Sequence, residues 1–143
     1  TLSDFYNWVS QMNDPILVIQ NAEFDMKMIN VRSPRGFRNE VIDTKQVIQL
    51  FYLPTLQKLA ETEPEYQEMV NKIGTSDRDN GLISSSMGKI GPALGINMSG
   101  YHDALVDVRL TIEMFCKIID FLKQHQDVDI SKYQADRIIT KRK

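Results

Sequence analysis

The sequence contains little of what marks several common protein classes. Its single cysteine, Cys116, has no partner for a disulfide, which excludes a disulfide-stapled scaffold. Its longest apolar runs, such as 15–19, fall far short of the roughly 20 residues that a membrane helix needs. Neither charge sign dominates, since 17 Lys and Arg oppose 19 Asp and Glu for a net charge of −2. Without a visible signal peptide or membrane segment, we expect a cytoplasmic protein with no membrane partner.

The residues that are present fit one domain of 143 residues with a hydrophobic content of 42%. The balanced charge argues against holding nucleic acid through bulk charge, although a metal-centred site does not require a basic protein. Arg32, Arg35 and Arg38 fall in one predicted loop. We interpret this loop first as a solvated surface and second as a contact for phosphates.

Two short strands alternate with helices along the chain. The apolar run 16–20 predicts a strand buried on both faces, and 40–43 predicts a second strand. Asp43 and Thr44 are predicted to cap the next helix, which Pro54 should kink or break. Helices are predicted from 3 to about 12, over 24–31, from 44 to about 60, from 64 to about 73, over 87–94, from about 103 to 124 and over 129–139. This order predicts a helix-rich α/β fold.

Asp107 falls on the apolar side of the predicted helix 103–124, at about 100° per residue. The solvent face of that helix carries Arg109, Glu113, Lys117, Asp120 and Gln124. The apolar side carries Leu105, Val108, Ile112, Met114, Phe115, Ile118, Ile119 and Leu122. A carboxylate on that side is costly to bury unless it is paired, hydrogen-bonded or bound to a metal. The pattern leaves backbone capping and metal binding both open.

Asp25 and His102 give weaker versions of the same argument. Asp25 is predicted on a non-solvent side of the first turn of its helix, where a negative charge is also favourable by itself. His102 precedes the helix that contains Asp107, so it is either a surface or capping residue or a base. Two carboxylates near loop ends can share a hard cation such as Mg²⁺, with a histidine to deprotonate a water.

Two segments resemble motifs of the DEDDh 3′–5′ exonuclease family. Residues 21–25, Asn-Ala-Glu-Phe-Asp after an apolar strand, resemble the second motif, Asn-x-x-Phe-Asp, with Gln20 where the family often has histidine. Residues 102–107, His-Asp-Ala-Leu-Val-Asp, resemble the third motif, His-x-Ala-x-x-Asp. Between them, 41–44 resembles the Ile-Asp-Thr segment that these enzymes often carry. The similarity runs in order from about 5 to 123.

The resemblance implies a ribonuclease-H-like α/β fold with two divalent metal ions, Mg²⁺ or Mn²⁺, held by four carboxylates. Carried over by position, Asp25 and Asp107 are metal ligands and His102 is the general base. Asn21 and Phe24 are expected to bind the terminal nucleotide of the substrate. Asp43 carries over as a structural residue, in agreement with its predicted role as a helix cap.

The family's first motif, Asp-x-Glu on the first strand, does not occur in this sequence. Asp77-Arg78-Asp79 and 127–129 lie outside any central strand and do not replace it. We therefore interpret 1–143 as one exonuclease domain truncated at its N-terminus, with about two strands left and a possible C-terminal extension over 126–143. We expect the chain alone to be inactive and the strand at 16–20 to expose an apolar edge.

The expected function is metal-dependent hydrolysis of phosphodiester bonds at the 3′ ends of single-stranded DNA or RNA, as part of a longer enzyme. The alternative is a non-catalytic nucleic-acid-binding module that keeps the fold and lacks the site. A third interpretation, an unrelated helical interaction protein, leaves the placement of Asp107 unexplained. The sequence does not choose between DNA and RNA. A homodimer is a possible assembly, and polymerase or repair partners stay unknown.

Overall fold

The computed structural model describes residues 2–32 and 38–142. The chain divides into two compact units, 1–45 and 46–143. The described residues form a helix-rich α/β protein with a two-stranded parallel sheet. The predicted α/β class and the two predicted strands are therefore confirmed.

The sheet and its connecting helix lie in unit 1–45. Helix α1 spans Leu2–Ser10, strand β1 Leu17–Ile19, helix α2 Ala22–Arg32 and strand β2 Val41–Asp43. The strands pair in parallel, with Leu17 opposite Val41 and Ile19 opposite Asp43. A parallel pair needs a crossover connection, and α2 lies within it. The carboxyl ends of both strands therefore meet at one edge of the sheet.

Strand β1 is less buried than the sequence predicts. Ile16 is 53% exposed and Val18 45% exposed, whereas Leu17 and Ile19 are half-buried. Successive side chains of a strand point to opposite faces of its sheet, so the exposed pair shares one face. The prediction of burial on both faces is wrong because only the opposite face is partly covered. The expected apolar edge concerns the side of β1 away from β2, and the exposed side chains lie instead on one face of the sheet.

Helices make up the second unit, with one segment continuing directly from β2. Helix α3 (Thr44–Val47), a π-helical turn (Ile48–Tyr52) and helix α4 (Leu53–Ala60) follow one another without a break. The remaining elements are helix α5 (Pro64–Ile73), a 3-10 turn (Asp77–Asp79), and helices α6 (Met87–Ala93), α7 (Ala104–Gln124) and α8 (Ser131–Arg142). Helix α8 lies within the segment expected as an extension and packs against the π-helical turn and α4.

Pro54 lies in the first turn of α4 and does not break the helical run. Proline has no N–H, so it cannot donate to the carbonyl of Leu50 four residues earlier. That carbonyl instead accepts a hydrogen bond from the Gln134 side chain of α8, with Nε2 and oxygen 2.8 Å apart. The π-helical turn lies just before the proline. The predicted break is therefore absent, and the backbone bond that the proline cannot make is replaced by one from a side chain of another helix.

The hydrophobic core of unit 46–143 brings together α4, α6, α7 and the π-helical turn. Its buried members are Ile48, Tyr52, Leu53, Leu56, Ile73, Ile83, Met87, Ile90, Ile96, Leu110, Met114 and Ile118. Burial raises the pKa of the Tyr52 phenol far above its ordinary value, and the Tyr52 ring meets Phe121 edge-on. In the part of the chain that the structure describes, no helix has the length and apolar character to span a membrane.

Helix α7 buries a narrower stripe than its sequence predicts. The predicted solvent face is confirmed, since each of its five members is exposed. Leu110, Met114 and Ile118 contact the core, whereas Leu105 is 80%, Val108 57% and Ile112 58% exposed. The prediction that these last three fill a buried apolar side is wrong. One helix packs only one stripe against its own core, and these side chains lie roughly 120–180° around the helix from Met114 at about 100° per residue.

Candidate functional site

The second motif begins with a tight turn directly after β1. Asn21 has a φ of 60°, in the left-handed region that asparagine tolerates better than most residues. Helix α2 starts at the next residue, Ala22, which is buried. The Phe24 N–H donates to the Asn21 carbonyl and closes the first turn of the helix. The segment 21–25 is thus a strand-to-helix turn.

The side chain of Asp43 closes this turn from the neighbouring strand. Its Oδ1 accepts from the backbone N–H of Asn21 at 3.0 Å, and its Oδ2 accepts from that of Ala22 at 3.1 Å. Its Oδ1 also accepts from the backbone N–H of Lys45 at 2.9 Å, which caps α3. The predicted helix cap is therefore confirmed. A second side-chain hydrogen bond joins the residues that directly follow the two strands, because the Thr44 hydroxyl donates to the Gln20 side-chain oxygen.

Asp25 and Phe24 project from the first turn of α2 into solvent. Asp25 is exposed and Phe24 is 63% exposed. The prediction that Asp25 lies on a non-solvent side is wrong, because α2 is covered on too little of its circumference to bury it. A carboxylate in the first turn of a helix is favourable there, since the N-terminal end carries partial positive charge.

The third motif is a second tight turn, at the start of α7. His102 has a φ of 85°, and its backbone N–H donates to Oδ1 of Asp107 at 2.9 Å. Asp103 caps the helix, since its Oδ1 accepts from the N–H groups of Leu105 and Val106 at 3.1 and 3.3 Å. The backbone-capping role left open for Asp107 is therefore present in the structure.

The imidazole of His102 and the carboxylate of Asp107 have different surroundings. The imidazole is exposed and lies against the Tyr101 ring, with ring centres 4.0 Å apart. Asp107 is half-buried, and its backbone carbonyl accepts from the Thr111 hydroxyl at 2.8 Å. The segment 102–107 thus holds one fixed carboxylate, with an accessible histidine five positions earlier.

A metal centre of the kind that the resemblance implies needs more ligands than these motifs contain. Across 2–32 and 38–142, no group of three or more His, Cys, Asp or Glu side chains is arranged to hold a metal ion. Each motif brings one of the expected ligands, Asp25 in unit 1–45 and Asp107 in unit 46–143. A two-metal site relies on several bridging oxygens. These residues alone do not fit such a site, and no catalytic step follows from them.

The arginine segment is only partly within the described residues. Arg32 is the last residue of α2, and Arg38 lies past it. Both side chains are exposed, in agreement with a solvated surface. Arg35 lies outside the described residues.

A buried polar cluster in unit 46–143 has no counterpart in the sequence predictions. Asp79 and Arg137 are 7% and 5% exposed, and Oδ1 of Asp79 lies 3.4 Å from Nη1 of Arg137. Ser85 donates to Asp79 through both its hydroxyl and its backbone N–H, at 2.8 and 3.2 Å. Nη2 of Arg137 donates to the Ile83 carbonyl at 2.7 Å. Asp79 sits in a polar loop and Arg137 on a polar helix, so neither carries a sequence signal of burial.

The burial of this cluster changes its electrostatics. Removal from water lowers the pKa of the Arg137 guanidinium, and the neighbouring Asp79 acts in the opposite direction. The carboxylate has further contact with Gln49, whose Nε2 lies 3.4 Å from Oδ1. The cluster joins the loop 75–86 to α8 and the π-helical turn, which makes it a structural feature.

Comparisons with protein-family models, with curated proteins and with solved structures give no match for this chain.

Proposed function

We propose that this chain contributes the second and third motifs of a metal-dependent 3′–5′ exonuclease that hydrolyses single-stranded nucleic acid. Asp25 and Asp107 ligate Mg²⁺ or Mn²⁺, and His102 acts as the general base. Asn21 and Phe24 contact the terminal nucleotide. The enzyme has a ribonuclease-H-like fold, acts on 3′ ends of DNA or RNA and works in the cytoplasm.

The local geometry of the third motif carries this proposal. The bond from the His102 backbone to Oδ1 of Asp107 fixes a carboxylate at the start of α7. The imidazole itself stays exposed. A metal ligand benefits from a fixed position, whereas a general base must reach a water beside the substrate.

The second motif adds support through Phe24 and Asn21. An aromatic side chain that is 63% exposed offers a flat surface on which a nucleobase can stack. Asn21 follows β1 at the carboxyl end of the parallel strands, where open α/β sheets commonly bind ligands. The net charge of −2 gives no general attraction for phosphates, so binding by this enzyme depends on the metal ions.

The proposal places the other two metal-ligating carboxylates outside this sequence, in a longer protein. Divalent metals bind weakly to one or two carboxylates in the absence of further ligands. We therefore expect the 143-residue chain alone to show no Mg²⁺-dependent activity. An in-frame Asp-x-Glu on an apolar strand, encoded upstream, is the feature that the proposal requires.

A nuclease assay on a 3′-labelled oligonucleotide tests the proposal. The longer protein with the upstream segment should release the label only with Mg²⁺ or Mn²⁺. His102→Ala, Asp25→Asn and Asp107→Asn should each lower kcat by at least about 100-fold. Asp129→Asn is the matched control, because Asp129 caps α8 and lies outside both motifs. Cleavage by the 143-residue chain, or full activity of His102→Ala in the longer protein, would contradict the proposal.

The second candidate is a nucleic-acid-binding module without activity. The observation that favours it is that two of the four expected metal ligands carry over, Asp25 and Asp107, whereas Asp-x-Glu is missing from the sequence. Fluorescence anisotropy with labelled single-stranded DNA and RNA separates the two candidates. Binding that persists in EDTA, together with no cleavage by the longer protein, would establish the module instead of the enzyme.

A further inference from the structure

The carboxylate of Asp43 lies where the ends of the two parallel strands meet. Asp43 is the last residue of β2 and pairs in register with Ile19, the last residue of β1. The chain that leaves β1 turns at Asn21 and passes directly over this carboxylate. Both oxygens of Asp43 are used, since Oδ1 accepts from Asn21 and Oδ2 from Ala22.

These two bonds act on the part of the second motif that determines where its side chains point. The first N–H groups of a helix have no partner within the helix, so Asp43 supplies one at the start of α2. Hydrogen bonds to a charged acceptor are stronger than those to a neutral one. They hold Asn21 at a φ of 60°, a conformation that is rare for residues other than glycine. The direction of the first turn of α2 follows from that backbone conformation.

We propose that Asp43 is a positioning residue for the second motif. Its carboxylate holds the backbone of Asn21 and Ala22 and so sets the placement of Phe24 and Asp25. Asp43 touches neither metal nor substrate and acts only through these backbone groups. The inference rests on the proposed function for the roles of Phe24 and Asp25. That Asp43 holds the turn at Asn21 and Ala22 follows from the hydrogen bonds alone.

Amide hydrogen exchange of the 143-residue chain, followed by NMR, tests the hold on the turn. Asp43→Ala removes all three bonds, so the amides of Asn21, Ala22 and Lys45 should exchange at least about tenfold faster. Asp43→Asn keeps one acceptor oxygen and replaces the other with an NH₂ group. In that variant the acceleration should be confined to Ala22, the partner of Oδ2.

This graded pattern separates positioning from a general contribution to stability. Equal acceleration across β1, α2 and β2 in both variants would overturn the proposal, as would unchanged exchange at Asn21 and Ala22. Asp129→Ala is the control, because it removes a comparable cap from α8 and should leave the Asn21 and Ala22 amides unchanged. If Asp43→Ala does not fold, the residue-specific pattern of amide exchange in Asp43→Asn decides whether Asp43 holds the turn.

Mn²⁺ alone is the probe for the functional part. Added to the longer protein with the upstream segment, it should broaden the amide signals around Asp25, and Asp43→Ala should lose that broadening while Asp129→Asn keeps it. Broadening that persists in Asp43→Ala would overturn the role in placing Asp25. If Mn²⁺ broadens nothing around Asp25 even in the longer protein without substitutions, the proposed function fails at this ligand, and the exchange pattern of the 143-residue chain still decides whether Asp43 holds the turn.

Discussion

At the scale of single residues, the buried contact between Arg137 and Asp79 has a large expected effect on stability. The two charged groups are almost fully removed from water. Arg137 also donates to the Ile83 carbonyl, and Asp79 accepts from Ser85. A buried charge that loses its partner costs far more than an exposed one, because water cannot replace the missing contact.

Arg137→Met should destabilise the chain by about 3–5 kcal/mol, because it leaves the Asp79 carboxylate buried without its countercharge. The free energy of unfolding from urea titration measures this effect. Arg137→Met combined with Asp79→Asn removes both charges and should recover much of the loss.

The exposed pair of Lys58 and Glu61 supplies the control for this prediction. Its side chains are 45% and 44% exposed, and Nζ of Lys58 lies 3.2 Å from Oε2 of Glu61. Water therefore screens the attraction between the two charges. Lys58→Met should change the free energy of unfolding by less than about 1 kcal/mol. Equal effects of Lys58→Met and Arg137→Met would show that burial of the Asp79 pair contributes nothing.

Sequence patterns identify some of these residues and miss others for a physical reason. The cap at Asp43 is predictable because its bond to Lys45 spans two residues. Its bonds to Asn21 and Ala22 are not, because they depend on the pairing of two strands. The contact between Asp79 and Arg137 joins positions 58 apart, and no local pattern encodes it.

At the scale of elements, the start of α8 is held by one carboxylate. Oδ1 of Asp129 accepts from the backbone N–H of Ser131 at 3.1 Å and from its hydroxyl at 2.8 Å. The hydrogen bond from the Ser131 backbone is the largest of the causes that lower the pKa of Asp129 below its ordinary value of 3.8. The ionised form is therefore the one that caps the helix.

We expect the first turn of α8 to lose its cap in acid. Because the folded state lowers the pKa of Asp129, the stabilisation is complete above the ordinary pKa and disappears as the pH falls through the lowered one. NMR signals of the amides at 131–134 should therefore report fraying in acid. Asp129→Asn should remove this pH dependence, whereas Ser131→Ala keeps the backbone bond and most of the dependence. Identical acid profiles for Asp129→Asn and the unaltered chain would contradict this cap.

Most element positions follow from the sequence, but the faces that they bury do not. Periodicity and the caps locate α5 and α7 to within a residue or two at each end. The π-helical turn before Pro54 has no sequence signal beyond the proline. Burial depends on the neighbouring elements, which is why the apolar residues Val18 and Ile112 are exposed.

At the scale of the whole molecule, the two units differ in their share of the core. The buried apolar cluster lies entirely in 46–143. Among the described residues of 1–45, the buried apolar side chains are those of Val9 and Ala22. Two paired strands with little covered apolar surface are marginally stable in isolation.

A fragment of residues 46–143 should therefore unfold cooperatively in urea, with a midpoint close to that of the full chain, because it retains the complete cluster. Circular dichroism at increasing urea measures the transition. The fragment 1–45 is the comparison and should show no cooperative transition. A gradual, non-cooperative loss of structure in 46–143 would show that the second unit depends on the first.

The contacts of α8 also constrain when the second unit can fold during synthesis. Gln134 donates to a carbonyl 84 positions earlier, and Arg137 to one 54 positions earlier. Contacts between such distant positions slow folding, because a long loop must close before either bond forms. Until residue 137 has left the ribosome, the Leu50 carbonyl and Asp79 lack these partners. A nascent chain that pauses earlier is therefore an incomplete domain, and a target for chaperones.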